Sequence, residues 1–307
     1  MNNTFFHNYI INPSVELTPT IRISPFNTEN ILTPKCNDEN IAKEYLDSRY
    51  SNYIITAKGR DAIDLALSYY HLTASDVVSI VTTSDNFYIS SCVTKCIEKY
   101  CSWSRVISEK TKVIFVNHEF GYPCQELHNL KKYGLPIIED CAHSFMSVDE
   151  KSSIGKIGDF VIYSLPKFFP MQIGGLLVSN KNDMTKRHIN QHVEKYVLNN
   201  LSSYIPILDS ICSSRLNNYK YLKRRLASLG IQPYFPLKRN IYPGVFLFKW
   251  KANIDYSLLK EFLQRNGIES SVFYGQNAFF IPCHHNLSQN HLDYIIALLN
   301  YFHNALC

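Results

Sequence analysis

From about residue 51 onward, short runs that are apolar throughout alternate with amphipathic ones. The run 52–56 (NYIIT) predicts a short strand, and 58–72 (KGRDAIDLALSYYHL) then places Ala62, Leu65, Ala66 and Tyr69 at helical intervals. The pairing repeats. Residues 76–83 predict a strand and 89–100 a helix with Ile89, Val93, Cys96 and Ile97 on one face; 112–118 predict a buried strand, 124–134 a helix and 135–140 a further strand. Two more strands, 159–165 and 174–180, flank a lysine. Strands without polar alternation, separated by helices, imply a mostly parallel sheet covered on both faces. After about residue 184 the pattern becomes largely helical, then gives a strand at 245–252 and helices at 257–267 and 291–306. The expected fold class is α/β, with a large domain over 1–205 and a smaller C-terminal α+β domain over 206–307.

In such a sheet, ligands collect at the carboxyl ends of the strands. Three segments deliver polar residues there. Lys58, Gly59 and Arg60 join the first strand to its helix, where a glycine allows close approach and the helix N-terminus offers free N–H groups to a phosphate. In IIEDCAHSF (137–145) an apolar strand stops abruptly at Glu139 and Asp140, with Ala142 and His143 beyond. A strand-end acid can simply cap the next helix, so this segment alone is ambiguous. In GDFVIYSLPKFFPMQIGG (158–175) Gly158 and Asp159 lead a strand, Ser164 ends it, Lys167 follows and Gly174 and Gly175 open the next strand. A lone lysine is most often a solvated surface charge, and only its neighbourhood argues otherwise.

Composition narrows the classes. The net charge of +5 is spread along the chain, and the basic cluster 220–226 (KYLKRRL) has the spacing of an amphipathic helix with a wet face, so no nucleic-acid arm is expected. Nine cysteines occur without a C-x-x-C pair, and the adjacent Cys283, His284 and His285 side chains diverge; free thiols in a reducing cytoplasm are expected rather than a metal site. The N-terminal stretch 1–19 lacks a basic region followed by a long apolar one, and no run has the length of a membrane span.

Taken in order, the three segments resemble the DegT-type sugar-nucleotide aminotransferases, pyridoxal-phosphate (PLP) enzymes of fold type I. GRDAIDLAL (59–67) resembles that family's phosphate-side loop and helix, FVNHEFGYP (115–123) the strand and turn before its aspartate, and 281–299 the lead-in to its terminal helix. The resemblance implies a PLP cofactor held as a Schiff base by Lys167, which then serves as the acid/base. It further implies Asp140 at the pyridine nitrogen, His143 near the ring hydroxyl, and Ser164 with the Gly59 and Arg60 backbone on the phosphate; a role for the Arg60 side chain is open. For the aromatic ring that covers the cofactor, Phe87 and Tyr88 are offered by 85–91, and Tyr88 is the candidate taken.

The implied reaction moves an amino group from an amino acid, glutamate in most such families, to a nucleotide-linked keto sugar, in a homodimer. Departures from the pattern are the short spacing from Ser164 to Lys167, the reduced glycine loop, and an abbreviated 180–215 stretch without the Asn-x-Arg segment that reaches into the neighbouring subunit. These departures leave an alternative open: a catalytically inactive homologue acting as a binding or regulatory subunit.

Overall fold

A computed structural model describes residues 20–27, 30, 36, 38–181, 184 and 190–306. The N-terminal stretch 1–19 and part of the abbreviated segment (182–183 and 185–189) lie outside the described residues. Seven strands form the main sheet in the order β1 (Tyr53–Thr56), β7 (Gly175–Ser179), β6 (Phe160–Ser164), β5 (Ile137–Asp140), β4 (Thr111–Asn117), β2 (Val77–Thr82) and β3 (Ser102–Ser104). β7 runs against both of its neighbours, and every other pairing is parallel. One edge of the sheet therefore gathers the carboxyl ends of β1, β6, β5, β4 and β2 together with the amino end of β7.

The absence of polar alternation in the strands is explained by cover on both faces. Phe160 and Ile162 of β6 and Leu177 of β7 share a core with α2 (Gly59–Ser68) and α3 (Ser91–Ile97). Val161 and Tyr163, with Leu176 and Val178, enter the opposite core, beneath α1 (Asn40–Arg49) and α4 (Gln191–Tyr204). This is the two-residue period of an extended chain read on both sides.

Two local elements differ from the sequence pattern. α1 was not expected, because only Ala42 and Leu46 are buried along it. Residues Gln125–Tyr133 form 3-10 turns instead of an α-helix; the buried residues are Leu127 and Leu130, three apart, which is the repeat of a 3-10 turn.

The C-terminal part contains α5 (Leu208–Leu226), an antiparallel sheet of β8 (Ile231–Pro233), β9 (Val245–Trp250), β10 (Ser271–Val272) and β11 (Phe279–Pro282), and the helices α6 (Tyr256–Arg265) and α7 (Gln289–Leu306). α5 serves two cores. Leu208, Ile211 and Cys212 pack with the main sheet, whereas Tyr219, Leu222 and Leu226 pack with Phe246, Phe262 and Phe302. Lys220, Lys223, Arg224 and Arg225 form its exposed face, as the basic cluster predicted. Among the described residues no helix is long and apolar enough to cross a membrane.

The edge that gathers the strand ends is fastened by a buried carboxylate. Glu139 Oε1 accepts hydrogen bonds from the N–H groups of Ile157 (2.9 Å) and Gly158 (2.6 Å), and Oε2 accepts from Gly155 N–H (2.8 Å). His118 Nδ1 accepts from Cys124 N–H, so its proton resides on Nε2, which donates to Glu139 Oε2 at 3.0 Å. Burial pushes the Glu139 carboxyl up, but His118 and the backbone donors outweigh it and hold the group below the ordinary glutamate range.

Glu139→Ala strands these donors in a dry interior and should destabilise the protein by about 3 kcal/mol or more in urea unfolding at neutral pH. A depressed carboxyl stabilises the fold above its unfolded pKa and loses that contribution as pH falls through the folded one. The gap between wild type and variant should therefore narrow in acid, below the ordinary glutamate range.

Candidate active site

The gathered edge opens into a cavity of about 520 Å³, a size suited to a cofactor or small ligand. Lys58, Gly59, Arg60, Tyr88, Asp140, His143, Ser164 and Lys167 all line it, so of the candidates offered for the cofactor only Phe87 falls outside.

Asp140 ends β5 one residue after Glu139 and leaves the strand on the other face. Its Oδ1 accepts from Ala142 N–H (3.0 Å) and its Oδ2 from the Asn117 amide (3.1 Å). These bonds orient the carboxylate. Burial raises its pKa, opposed by Lys167, the Ala142 N–H and His118.

Lys167 closes the turn Leu165–Lys167 that follows β6, where Pro166 fixes the backbone. Lys167 is exposed by surface area and lines the cavity, with protein packed around it on the other sides. That enclosure lowers the ammonium pKa, and Asp140 and then Cys92 oppose the shift. Lysine and aspartate are thus coupled across the cavity, the buried aspartate and the protein-flanked lysine each drawn toward its neutral form while the charge of the other opposes the shift.

Ser164 faces the start of α2. A Cβ on Gly59 would lie 2.9 Å from the Ser164 Cβ, so only glycine lets the two backbones approach this closely. The first turn of α2 has no side-chain cap, and the Ser164 hydroxyl has no partner among the described residues. Together they form a cup of N–H and O–H donors. Gly174 secures this loop, its N–H donating to Ala57 O at 2.7 Å and its carbonyl accepting from Leu165 N–H at 3.0 Å. The Arg60 guanidinium turns instead toward the Cys92 sulfur, 3.4 Å away.

His143 packs its ring against Phe120 with centroids 5.8 Å apart. Its Nδ1 is buried without a partner among the described residues, and Gly244 backs it so closely that a Cβ there would lie 2.7 Å from that nitrogen. Nε2 is left on the cavity side. Burial first, then Lys167 and Arg215, hold its pKa well below the ordinary histidine value, so the ring is neutral.

Tyr88 stands half exposed at the rim and leans on Tyr274 of the C-terminal part, centroids 5.2 Å apart. Phe87 is 75% exposed and does not line the cavity. Several lining residues escaped the sequence reading: Asn117, Glu119, Phe120, and Phe273 and Tyr274 from the C-terminal part. Asn117 ends β4, and the strand-end rule that found Asp140 applied to it equally. Phe120 adopts a left-handed backbone (φ 54°) that swings its ring onto Phe273 and Phe280; no sequence signal marks that.

Residues 93–197 match the DegT/DnrJ/EryC1/StrS aminotransferase family. The resemblance carried by the sequence motifs is thereby borne out. A GDP-perosamine synthase of Vibrio cholerae is 27% identical over 213 residues, 60% of this chain and 58% of that protein. A dTDP-3-amino-3,6-dideoxy-alpha-D-galactopyranose transaminase of Aneurinibacillus thermoaerophilus is 28% identical over 47% of this chain and 44% of its own length. The chain thus spans about half the length of these curated relatives.

Among solved structures, the aminotransferase TlmJ of Streptoalloteichus hindustanus superposes with a TM-score of 0.70 at 14% identity, covering 90% of this chain and 92% of TlmJ. NtdA of Bacillus subtilis, solved with bound cofactor PMP, gives 0.66 at 15% identity over 97% of this chain and 87% of NtdA. These likenesses show the fold, α/β of fold type I.

Gly244→Ala should force either the His143 ring or the β9 entry to move, lowering the urea midpoint by an amount equivalent to about 1–3 kcal/mol. An unchanged midpoint would mean that the ring is not confined as described.

Proposed function

We propose that this chain is a PLP-dependent aminotransferase that moves an amino group from an amino acid, with glutamate the expected donor, to a keto sugar carried on a nucleotide, as a cytoplasmic homodimer serving amino-sugar and surface-polysaccharide biosynthesis. The observation that carries this reading is the meeting of Lys167, Asp140 and the Ser164–Gly59 cup in one cavity. The names of the relatives, which act on GDP- and dTDP-linked sugars, support the substrate class.

The residues fit the cofactor. Ser164 and the N–H groups of Gly59 and Arg60 would hold its phosphate. Asp140, oriented by Asn117 and Ala142, would keep a proton on the ring nitrogen, and His143 Nε2 would face the ring hydroxyl. Tyr88 would close over the ring from the rim. When bound, the cofactor supplies an aldehyde and a ring able to accept an electron pair.

Lys167 does the remaining work. Its lowered pKa would favour the neutral amine needed to hold the cofactor aldehyde, and Nζ would act as the acid/base that takes a proton from the substrate carbon and delivers it to the cofactor carbon. Phe120 and Phe273, packed edge to face, make this side of the cavity apolar. Exposed Lys58 and Arg60 at the mouth offer positive charge to a nucleotide diphosphate. An inactive homologue would be expected to have lost part of this set, and Lys167, Asp140 and Ser164 are all present.

Purified protein mixed with pyridoxal phosphate should develop a visible absorption band that borohydride fixes covalently to the peptide carrying Lys167, and Lys167→Ala should show neither. A wild-type spectrum of free cofactor alone would overturn the reading. Asp140→Asn should retain the covalent adduct but lose at least about 10²-fold in turnover with a keto-sugar nucleotide.

A further inference from the structure

Arg215 is one of the most deeply buried side chains in the protein, 1% exposed, and it has no carboxylate partner among the described residues. A buried guanidinium without a counter-charge is costly and must be held by dipoles. Here the dipoles are backbone carbonyls. Nη2 donates to Lys167 O (2.9 Å) and Phe168 O (3.0 Å), and Nη1 donates to Pro243 O (3.4 Å). The guanidinium also lies over the Phe168 ring, 4.4 Å from its centroid.

The three carbonyls belong to two different parts of the site. Lys167 and Phe168 form the turn that carries the amine, whereas Pro243 precedes Gly244, the residue backing His143. The planar fork of arginine bridges both backbones at once, which a lysine ammonium in its place would not reproduce. Arg215 itself sits on α5 where the helix passes from one core to the other.

We propose that Arg215 is a positioning residue: by bridging the Lys167 turn and the Pro243–Gly244 backbone, it sets the presentation of the Lys167 amine to the cavity. The inference rests on Lys167 being the reactive amine of the site. The guanidinium meets Lys167 only at its backbone carbonyl, so its hold on the amine passes through the backbone, while its charge also bears on His143.

The test probes Lys167 in the cofactor-free protein, so that failure of the cofactor reading appears separately, in the pyridoxal phosphate experiment. Reductive methylation with formaldehyde and cyanoborohydride, followed across pH and mapped by mass spectrometry, reports the reactivity of that one amine, whose charged and titratable neighbours are Asp140, Cys92 and His143. In the wild type the Lys167 midpoint should lie below that of the surface lysines. Releasing the turn lets the amine swing away from the protein packed around it, so Arg215→Met and Arg215→Lys should both move the midpoint up by about one pH unit, slowing labelling about tenfold at neutral pH.

Both variants are first checked for folding by circular dichroism. If Arg215→Met does not fold, Arg215→Lys decides, because it keeps the charge and loses the fork. A folded Arg215→Lys with the wild-type midpoint overturns the proposal, even where its melting temperature has fallen.

Discussion

An extended strand sends successive side chains to opposite faces, so the Glu139–Asp140 pair at the end of β5 must commit one carboxylate to the protein and the other to the cavity. Glu139 takes the inner role and gathers the 155–158 loop and His118 around itself. That loop leads directly into β6, whose far end carries Ser164 and then Lys167. The register of Asp140 against Lys167 is therefore inherited from an interaction on the other side of the sheet. A shift of one residue in β5 would exchange the two acids and leave the cavity without its oriented carboxylate.

The charge balance of the site follows from burial more than from ion pairing. Lys167 and Asp140 both shift toward their neutral forms, His143 is held neutral, and Arg215, though pulled down by burial to about 10, stays cationic among carbonyls. One fixed positive charge thus sits behind the cavity while the groups facing it remain adjustable. A bound cationic ring would draw the Asp140 proton equilibrium back toward carboxylate, which is the form its two hydrogen-bond donors are arranged to meet.

Much of this was legible in the sequence, for identifiable reasons. Apolar strands and strand-end polar residues are local features, and they place Asp140, Ser164 and Lys167 on a common edge from the sequence alone. The Gly174–Gly175 pair was legible as a motif, and the structure supplies its cause: the Thr56–Lys58 chain passes so close that a Cβ on Gly175 would lie 2.3 Å from Thr56 Oγ1. What the C-terminal part contributes, such as Tyr274 at the rim and Gly244 behind His143, depends on how two cores dock and has no local signature. The helix expected at 124–134 failed because two buried leucines three apart satisfy a 3-10 turn as well.

Arg215 lies between these cases. Its neighbours at 208, 211, 212, 219, 222 and 226 form the buried stripe of α5, and position 215 falls on that stripe at helical spacing. A charged residue on an apolar stripe contradicts the pattern around it, and such local conflicts tend to mark function. The basic cluster at 220–226 is dense, yet its charges are solvated and lie on the exposed face of the helix. The solitary cation one turn earlier is the one that reaches the site. In a helix that crosses between two cores, an isolated charge on the dry face is thus more informative than a run of charges on the wet one, because only the former needs a specific set of partners to be tolerated at all.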